Sequence, residues 1–266
     1  MIRRASLILA AALLVAFLAV PVATLLARAL GGGALAETVR STVILEALRL
    51  SLVTTAVSLA ITLLIGTPLA FMLARRRFPG AALVEVAIDL PLVLPPSVAG
   101  LALLLVFGRR GLFGASFDVA GLAIPFTVVA VILAQVFVSA PFYVRSARAG
   151  IAGVPRDLED AARVDGATEW EVFRRVTAPL AGPALAAGLV MSWARSLGEF
   201  GATILFAGNV AGRTQTLPLV VYAEFQAGDL DAAIAAATIL VFAAIAVLVA
   251  VRLGRLDRTT GAALAG

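Results

Sequence analysis

The chain has 266 residues, 62% of them hydrophobic, with mean hydropathy +1.06 and a formal net charge of +5, and its 21 basic residues are all arginine. Soluble domains are roughly 45–50% apolar, so this composition marks an integral membrane protein, and the positive balance is a topology signal rather than a nucleic-acid one. The absence of Lys excludes a P-loop, and the absence of His and Cys excludes disulfides, ordinary zinc sites, haem ligation and Ser-His-Asp or Cys-His triads.

A spanning helix needs about 20 apolar residues to cross a ~30 Å hydrocarbon core, and six segments approach that requirement. The first lies between Arg4 and Arg28. Its run "MIRRASLILAAALLVAFLAVPVATLLARA" also has the layout of a signal peptide, with a basic start and small residues at Ala27 and Ala29. The apolar stretch is longer than the usual ~7–15 residues of such a signal, so residues 1–30 are read as a retained first helix. Cleavage would leave the later topology unchanged.

The second span lies between Arg49 and Arg75 and contains Pro68. The third, Leu90–Phe107, contains Pro91, Pro95 and Pro96. Each proline lacks an N–H, so this backbone should face protein or a cavity rather than lipid. A broken helix lining a substrate route and a static kink both fit, and Ser97 is a candidate hydrogen-bond donor to an oxyanion. Arg109 and Arg110 follow at the outer surface, as anion attractors, contacts for a binding protein, or plain anchors. The fourth span is read at about Val119–Phe142.

A charged stretch then interrupts the apolar pattern. "EDAARVDGATEWEVFRRVTAPLAGP" (Glu159–Pro183) carries eight formal charges in a chain that is 14% charged. Pro155 suits a helix start, and Asp157, Glu159 and Asp160 suit the positive end of the helix dipole. Leu158, Ala161, Ala162 and Asp165 share a helical face, and Gly166 fits the left-handed position after the helix end. The spacing predicts a short helix over residues 156–165. Thr168 and Glu171 form a T-x-x-E capping box for a second helix, with Trp170, Phe173 and Val176 as its apolar stripe. An amphipathic connector lying on the membrane is the simpler reading. The Ala161–Ala162 pair buries little area, however, and the acidic first half suits anionic lipid poorly, so insertion into a protein cleft fits better.

The fifth span, about Leu180–Phe206, holds Arg195 and Glu199 four residues apart, flanked by Gly198 and Gly201. Ionisable residues at such depth cost several kcal/mol unless paired or hydrated. They read either as a structural ion pair or as a pathway cation with its tuning acid. The order Arg before Glu at i, i+4 is the less favourable one on a helix. The sixth span is about Ala232–Val251. The termini, the "RRRFPG" loop and the Arg145–Arg175 segment hold 14 Arg, the opposite loops hold six (Arg28, Arg40, Arg49, Arg109, Arg110 and Arg213), and Arg195 lies within a span. The split predicts cytoplasmic termini and a cytoplasmic charged stretch.

The run "DAARVDGA" followed by "VTAP" resembles the cytoplasmic signature of ATP-binding-cassette importer permeases: E-A-A, three residues, G, nine residues, I, one residue, L-P. Asp160 takes the Glu place, Ala161 and Ala162 the pair, Gly166 the Gly place, Val176 the Ile place, and Pro179 matches; Ala178 replaces Leu. "LPLVLPPSVAGLALLLVFGRRGLFG" (Leu90–Gly114) and "SWARSLGEFGATILFAGNVAGRTQTLP" (Ser192–Pro218) look like molybdate uptake permeases. Sulfate permeases share "GEFGA" and "TLP" and are less similar at "LPPSVAG" and "FGRRGLFG". The resemblance covers about residues 44–250.

The resemblance implies an all-α type I importer permease: one transmembrane domain over residues 1–266, with six spans and a cytoplasmic coupling segment at 154–178. It implies an ATPase-coupling set of Glu159, Asp160, Ala161, Ala162, Gly166 and Ala167. It also implies an anion route for which Arg195, Ser196, Glu199 and Ser97 are the candidates. The chain itself is expected to hold no catalytic residue, metal or cofactor; ATP and Mg²⁺ belong to a partner ATPase dimer. A binding protein outside the membrane, a second copy of this chain and the lipid bilayer complete the partners. The expected substrate is molybdate, with tungstate alongside it. The alternatives are a sulfate or thiosulfate permease and, in another class, an ATP-independent secondary anion transporter; no constellation supports a membrane enzyme.

Overall fold

A computed structural model describes residues 2–31 and 41–263 of the chain. Met1 and Arg40, expected in the first helix and in an Arg-poor loop, lie outside them. Every regular element among the described residues is helical. In chain order these are α1 (Ile2–Gly31), α2 (Thr42–Arg75), α3 (Ala81–Val93), α4 (Pro96–Phe107), α5 (Gly114–Val119) and α6 (Val128–Ala152). There follow α7 (Arg156–Val164), α8 (Glu169–Val172), a π-helical stretch (Phe173–Thr177), α9 (Ala178–Leu197), α10 (Gly201–Phe206), α11 (Leu217–Gln226) and α12 (Leu230–Ala263).

Among the described residues, five helices are long and apolar enough to cross a membrane: α1, α2, α6, the continuous run from α8 through α9, and α12. The third expected span is instead two short helices, α3 of 13 residues and α4 of 12. Leu94 precedes a proline and takes an extended conformation (ψ 132°), which ends α3. Pro96 then starts α4, where its missing N–H costs nothing. The fifth span breaks too, at Gly198–Phe200, before the short α10. The fourth begins at Val128, not Val119, because Thr127 caps it and Phe126 sits at φ 61° in the preceding loop.

The helices are inside-out by the standard of soluble proteins. The buried stripe of α2 includes Ala47, Ser51, Thr54, Thr55, Ser58, Thr62, Gly66 and Ala70, while Leu52, Val53, Leu64 and Ile65 are exposed. Lipid is as apolar as Leu, so helices gain by close packing of small residues and by hydrogen bonds between them. Helix α6 is central, packed on α2 and α9 and touched by α3, α4 and α10. Side-chain donors reach backbone carbonyls across its interfaces. Ser192 donates to the Ser139 carbonyl at 2.9 Å, Ser146 to the Ala184 carbonyl at 2.7 Å, and the Gln135 amide to the Ser196 carbonyl at 3.2 Å. Helix α11 is tied to α2 by the Leu217 N–H donating to Ser51 Oγ at 2.8 Å.

The two broken segments meet. A Cβ on Gly100 of α4 would lie 2.7 Å from the Ala202 carbonyl oxygen of α10, and one on Gly201 would lie 2.5 Å from Pro96 Cβ. Glycine at both positions is what lets α10 pack closely against α4.

Candidate coupling segment and anion route

Helix α7 forms where the sequence predicts. Pro155 is its N-cap, Asp157 and Glu159 lie in the first turn, and Asp165 is the C-cap. Gly166 follows at φ +89°. Its N–H donates to the Arg163 carbonyl at 3.0 Å and the Ala167 N–H to the Ala162 carbonyl at 3.0 Å, the two bonds of a Schellman turn. The capping box is complete: Glu171 N–H donates to Thr168 Oγ1 at 3.3 Å, and Thr168 N–H donates to Glu171 Oε2 at 3.0 Å. Arg163 staples the two helices, bonding Asp160 at 2.7 Å and Glu169 at 2.8 Å. The Glu169 carboxylate, with Asp160 behind it, holds the Arg163 guanidinium above its ordinary value, so it is a fixed cation.

One expected coupling residue points the other way. Glu159 is 2% exposed and faces the membrane domain, not solvent. Arg75 at the end of α2 donates to its Oε1 at 2.9 Å and to the Val154 carbonyl at 3.0 Å. Thr177, at the end of the π-helical stretch, donates to the same Oε1 at 2.7 Å. Glu159, expected in the ATPase-coupling set, is thus buried within the chain: it anchors α7 to α2 and to the root of α9. Arg75 and Thr177 were missed by the sequence reading, since a partner 84 positions away leaves no local signal.

The opposite face of α7 is bare. Leu158 is 48% exposed and Val164 87%, with Asp160, Ala161 and Gly166 exposed between and beside them, while Ala162 and Ala167 are half-buried. A Cβ on Gly166 would meet nothing within 4 Å, so only its left-handed backbone demands glycine within this chain. Gly166→Asp is expected to abolish co-purification of a partner ATPase with the permease while membrane insertion survives. Unchanged co-purification and unchanged substrate-coupled turnover would remove the role assigned to this turn.

In the membrane, Arg195 and Glu199 do form an ion pair, the acid 1% and the base 29% exposed. The unfavourable helical order does not apply, because α9 ends at Leu197 and Glu199 lies in the break. Glu199 Oε1 also accepts the Ala202 N–H at 2.7 Å, capping α10. Ser196, expected along the route, is buried in the interhelical network, 3.1 Å from Ser58 Oγ. Ser97 is exposed in the first turn of α4. Of the four route candidates, the structure joins Arg195 and Glu199, and it turns Ser196 into packing.

A family model described as the binding-protein-dependent transport system inner membrane component matches residues 66–261. The chain is 45% identical, over 77% of its length and 77% of the relative's, to the molybdenum transport system permease protein ModB of Mycobacterium bovis. It is 39% identical, over 69% of its length and 66% of the relative's, to the sulfate transport system permease protein CysT of Escherichia coli. A crystal structure of a bacterial alginate ABC transporter, in complex with alginate pentasaccharide-bound periplasmic protein, contains a chain of the same fold. Its TM-score is 0.73 at 20% identity, covering 93% of this chain and 91% of that one.

Proposed function

This chain belongs to the family of inner membrane components of binding-protein-dependent transport systems, and on that premise we propose that it is the permease subunit of an ATP-driven importer for molybdate. The observation that carries the coupling is the two-sidedness of α7. One face is tied down through Glu159, and the other presents Leu158, Ala161 and Val164 exposed, with nothing among the described residues to cover them. A short helix anchored on one face and bare on the other suits docking by a second subunit. ATP hydrolysis falls to that subunit, since this chain has no Lys for a P-loop.

Two ATPase subunits close on ATP, move the docked helices, and switch a homodimeric pore between inward- and outward-facing states. A binding protein delivers the anion at the opposite face. Both termini and the α7–α8 segment lie on the cytoplasmic side, where 14 of the 21 arginines fall. Arg195 supplies the positive charge met by the oxyanion in transit, held by Glu199, and the exposed Ser97 hydroxyl is a further donor for it. No bond in the substrate is broken.

The greater identity and coverage of the molybdenum permease than of the sulfate permease favours molybdate. Uptake into vesicles holding the permease, its ATPase and the binding protein tests this. Molybdate uptake is expected to persist with sulfate at equal concentration and to cease without ATP. Abolition by sulfate would make this a sulfate permease, and uphill uptake by the chain alone on a proton gradient would make it a secondary transporter.

A further inference from the structure

We infer that the flank of α7 and the adjoining face of α2 form a binding site for one phospholipid with a net-negative head group. Two cavities share a wall there. The first, about 520 Å³, is an apolar groove between α2 and the start of the α8–α9 run, lined by Leu63, Leu64, Pro68, Phe71, Trp170 and Phe173. The second, about 290 Å³, is a charged pocket lined by Arg75, Arg76, Arg156 and Arg163 with Glu159, Asp160 and Glu169. Phe71 and Glu169 line both.

The charges sort themselves. Glu159 pairs with Arg75, and Asp160 and Glu169 share Arg163. Arg76 and Arg156 enter no ion pair among the described residues, though Arg76 acts on Glu169 through space, and four guanidinium groups against three carboxylates leave the pocket with one net positive charge to face an anion. Arg75, its side chain 9% exposed, keeps a buried Nε without a hydrogen-bond partner beside them. The apolar groove runs along α2 toward the hydrocarbon level, while the cations sit at its membrane-surface end. Trp170, 66% exposed and stacked on Phe173 at 5.8 Å, marks the boundary, where indoles settle in bilayers. An acyl chain fits the groove and a phosphate fits the pocket; a free oxyanion has no use for the groove. Basic pockets at membrane surfaces select anionic head groups for the same reason.

Seating this lipid would pin α7 to α2 beside the Arg75–Glu159 pair. The inference rests on the membrane orientation proposed above and not on which anion is carried, so the uptake assay and the lipid assay can fail independently.

The chain has two tryptophans, and Trp193→Phe leaves Trp170 as its single reporter, with the same complex carrying Trp170→Phe as well to subtract the signal of the ATPase. The assembled complex, permease with ATPase, is placed in phosphatidylcholine vesicles containing either brominated phosphatidylglycerol or brominated phosphatidylcholine at matched dose. Brominated phosphatidylglycerol is expected to quench Trp170 at the lower dose. Each cation near an anionic lipid is worth about fivefold in binding, so Arg76→Gln with Arg156→Gln should erase a preference of up to roughly 30-fold. Equal quenching by both lipids overturns the site. So does a preference that survives the double substitution. Quenching by neither lipid means that protein covers the groove, and loss of the preference on adding inorganic phosphate or molybdate means a free-anion pocket; both reject the lipid.

Discussion

Arg75→Met is expected to destabilise the cytoplasmic end of the permease by about 3–5 kcal/mol, the usual cost of removing one partner of a buried ion pair. Glu159 would remain 2% exposed, with only the Thr177 hydroxyl on its carboxylate. Arg75 also satisfies the Val154 carbonyl, which would be stranded as the chain enters α7. Three elements lose their common point at once: the end of α2, the start of α7 and the root of α9. Thermal unfolding in detergent reads the stability. Transport per ATP in reconstituted vesicles reads the coupling, because the pair is a side-chain link by which motion of α7 reaches α2 without passing through the chain. Arg75→Met with Glu159→Gln should recover part of the stability, since no uncompensated charge stays buried, and should not recover the coupling. A single variant within about 0.5 kcal/mol of the parent, the range of an ordinary surface substitution, would remove this account.

Glu199 separates the two roles of its ion pair. Glu199→Leu takes away both the partner of Arg195 and the acceptor for the Ala202 N–H. An unpaired Arg within a span costs about 3 kcal/mol, so this variant is expected to fail in folding or insertion. Glu199→Gln keeps an oxygen for Ala202 and neutralises the counter-charge. On the proposed role of Arg195 in the anion route, the neutral variant should hold the anion on the order of tenfold more tightly, a shift of about 1.4 kcal/mol, and release it more slowly. Uptake kinetics would then show a lower KM together with a lower maximal rate. A change in stability with KM unmoved would assign the pair to structure alone.

Element by element, legibility followed the range of the interaction concerned. Helix α7 and its capping residues were readable because every determinant lies within a few positions: Pro155 at the start, Gly166 at the end, Thr168 with Glu171 next. The breaks after Leu94 and Leu197 were only half readable. Pro95 and Pro96 announce an interruption but not whether the helix kinks or stops. Of the two glycines flanking the Arg195–Glu199 pair, Gly201 packs against Pro96 and Gly198 ends α9. Among the site residues, Ser196 was a candidate for the anion route, and its bond to Ser58, 138 positions earlier, is not legible from spacing along the chain.

By itself the sequence determined the membrane class, the short charged helix after Pro155 with its capping residues, and the lack of a P-loop lysine in this chain. Composition is a bulk property, capping is local, and a missing Lys cannot be supplied by folding. The tertiary structure alone decided which face of α7 is anchored, that Arg75 and Thr177 hold it, and that Arg195 pairs with Glu199 across a helix end. It also decided that an apolar groove runs into a cationic pocket beside α2. Those facts depend on side chains from separate helices meeting at about 3 Å, a distance that spacing along the chain does not encode.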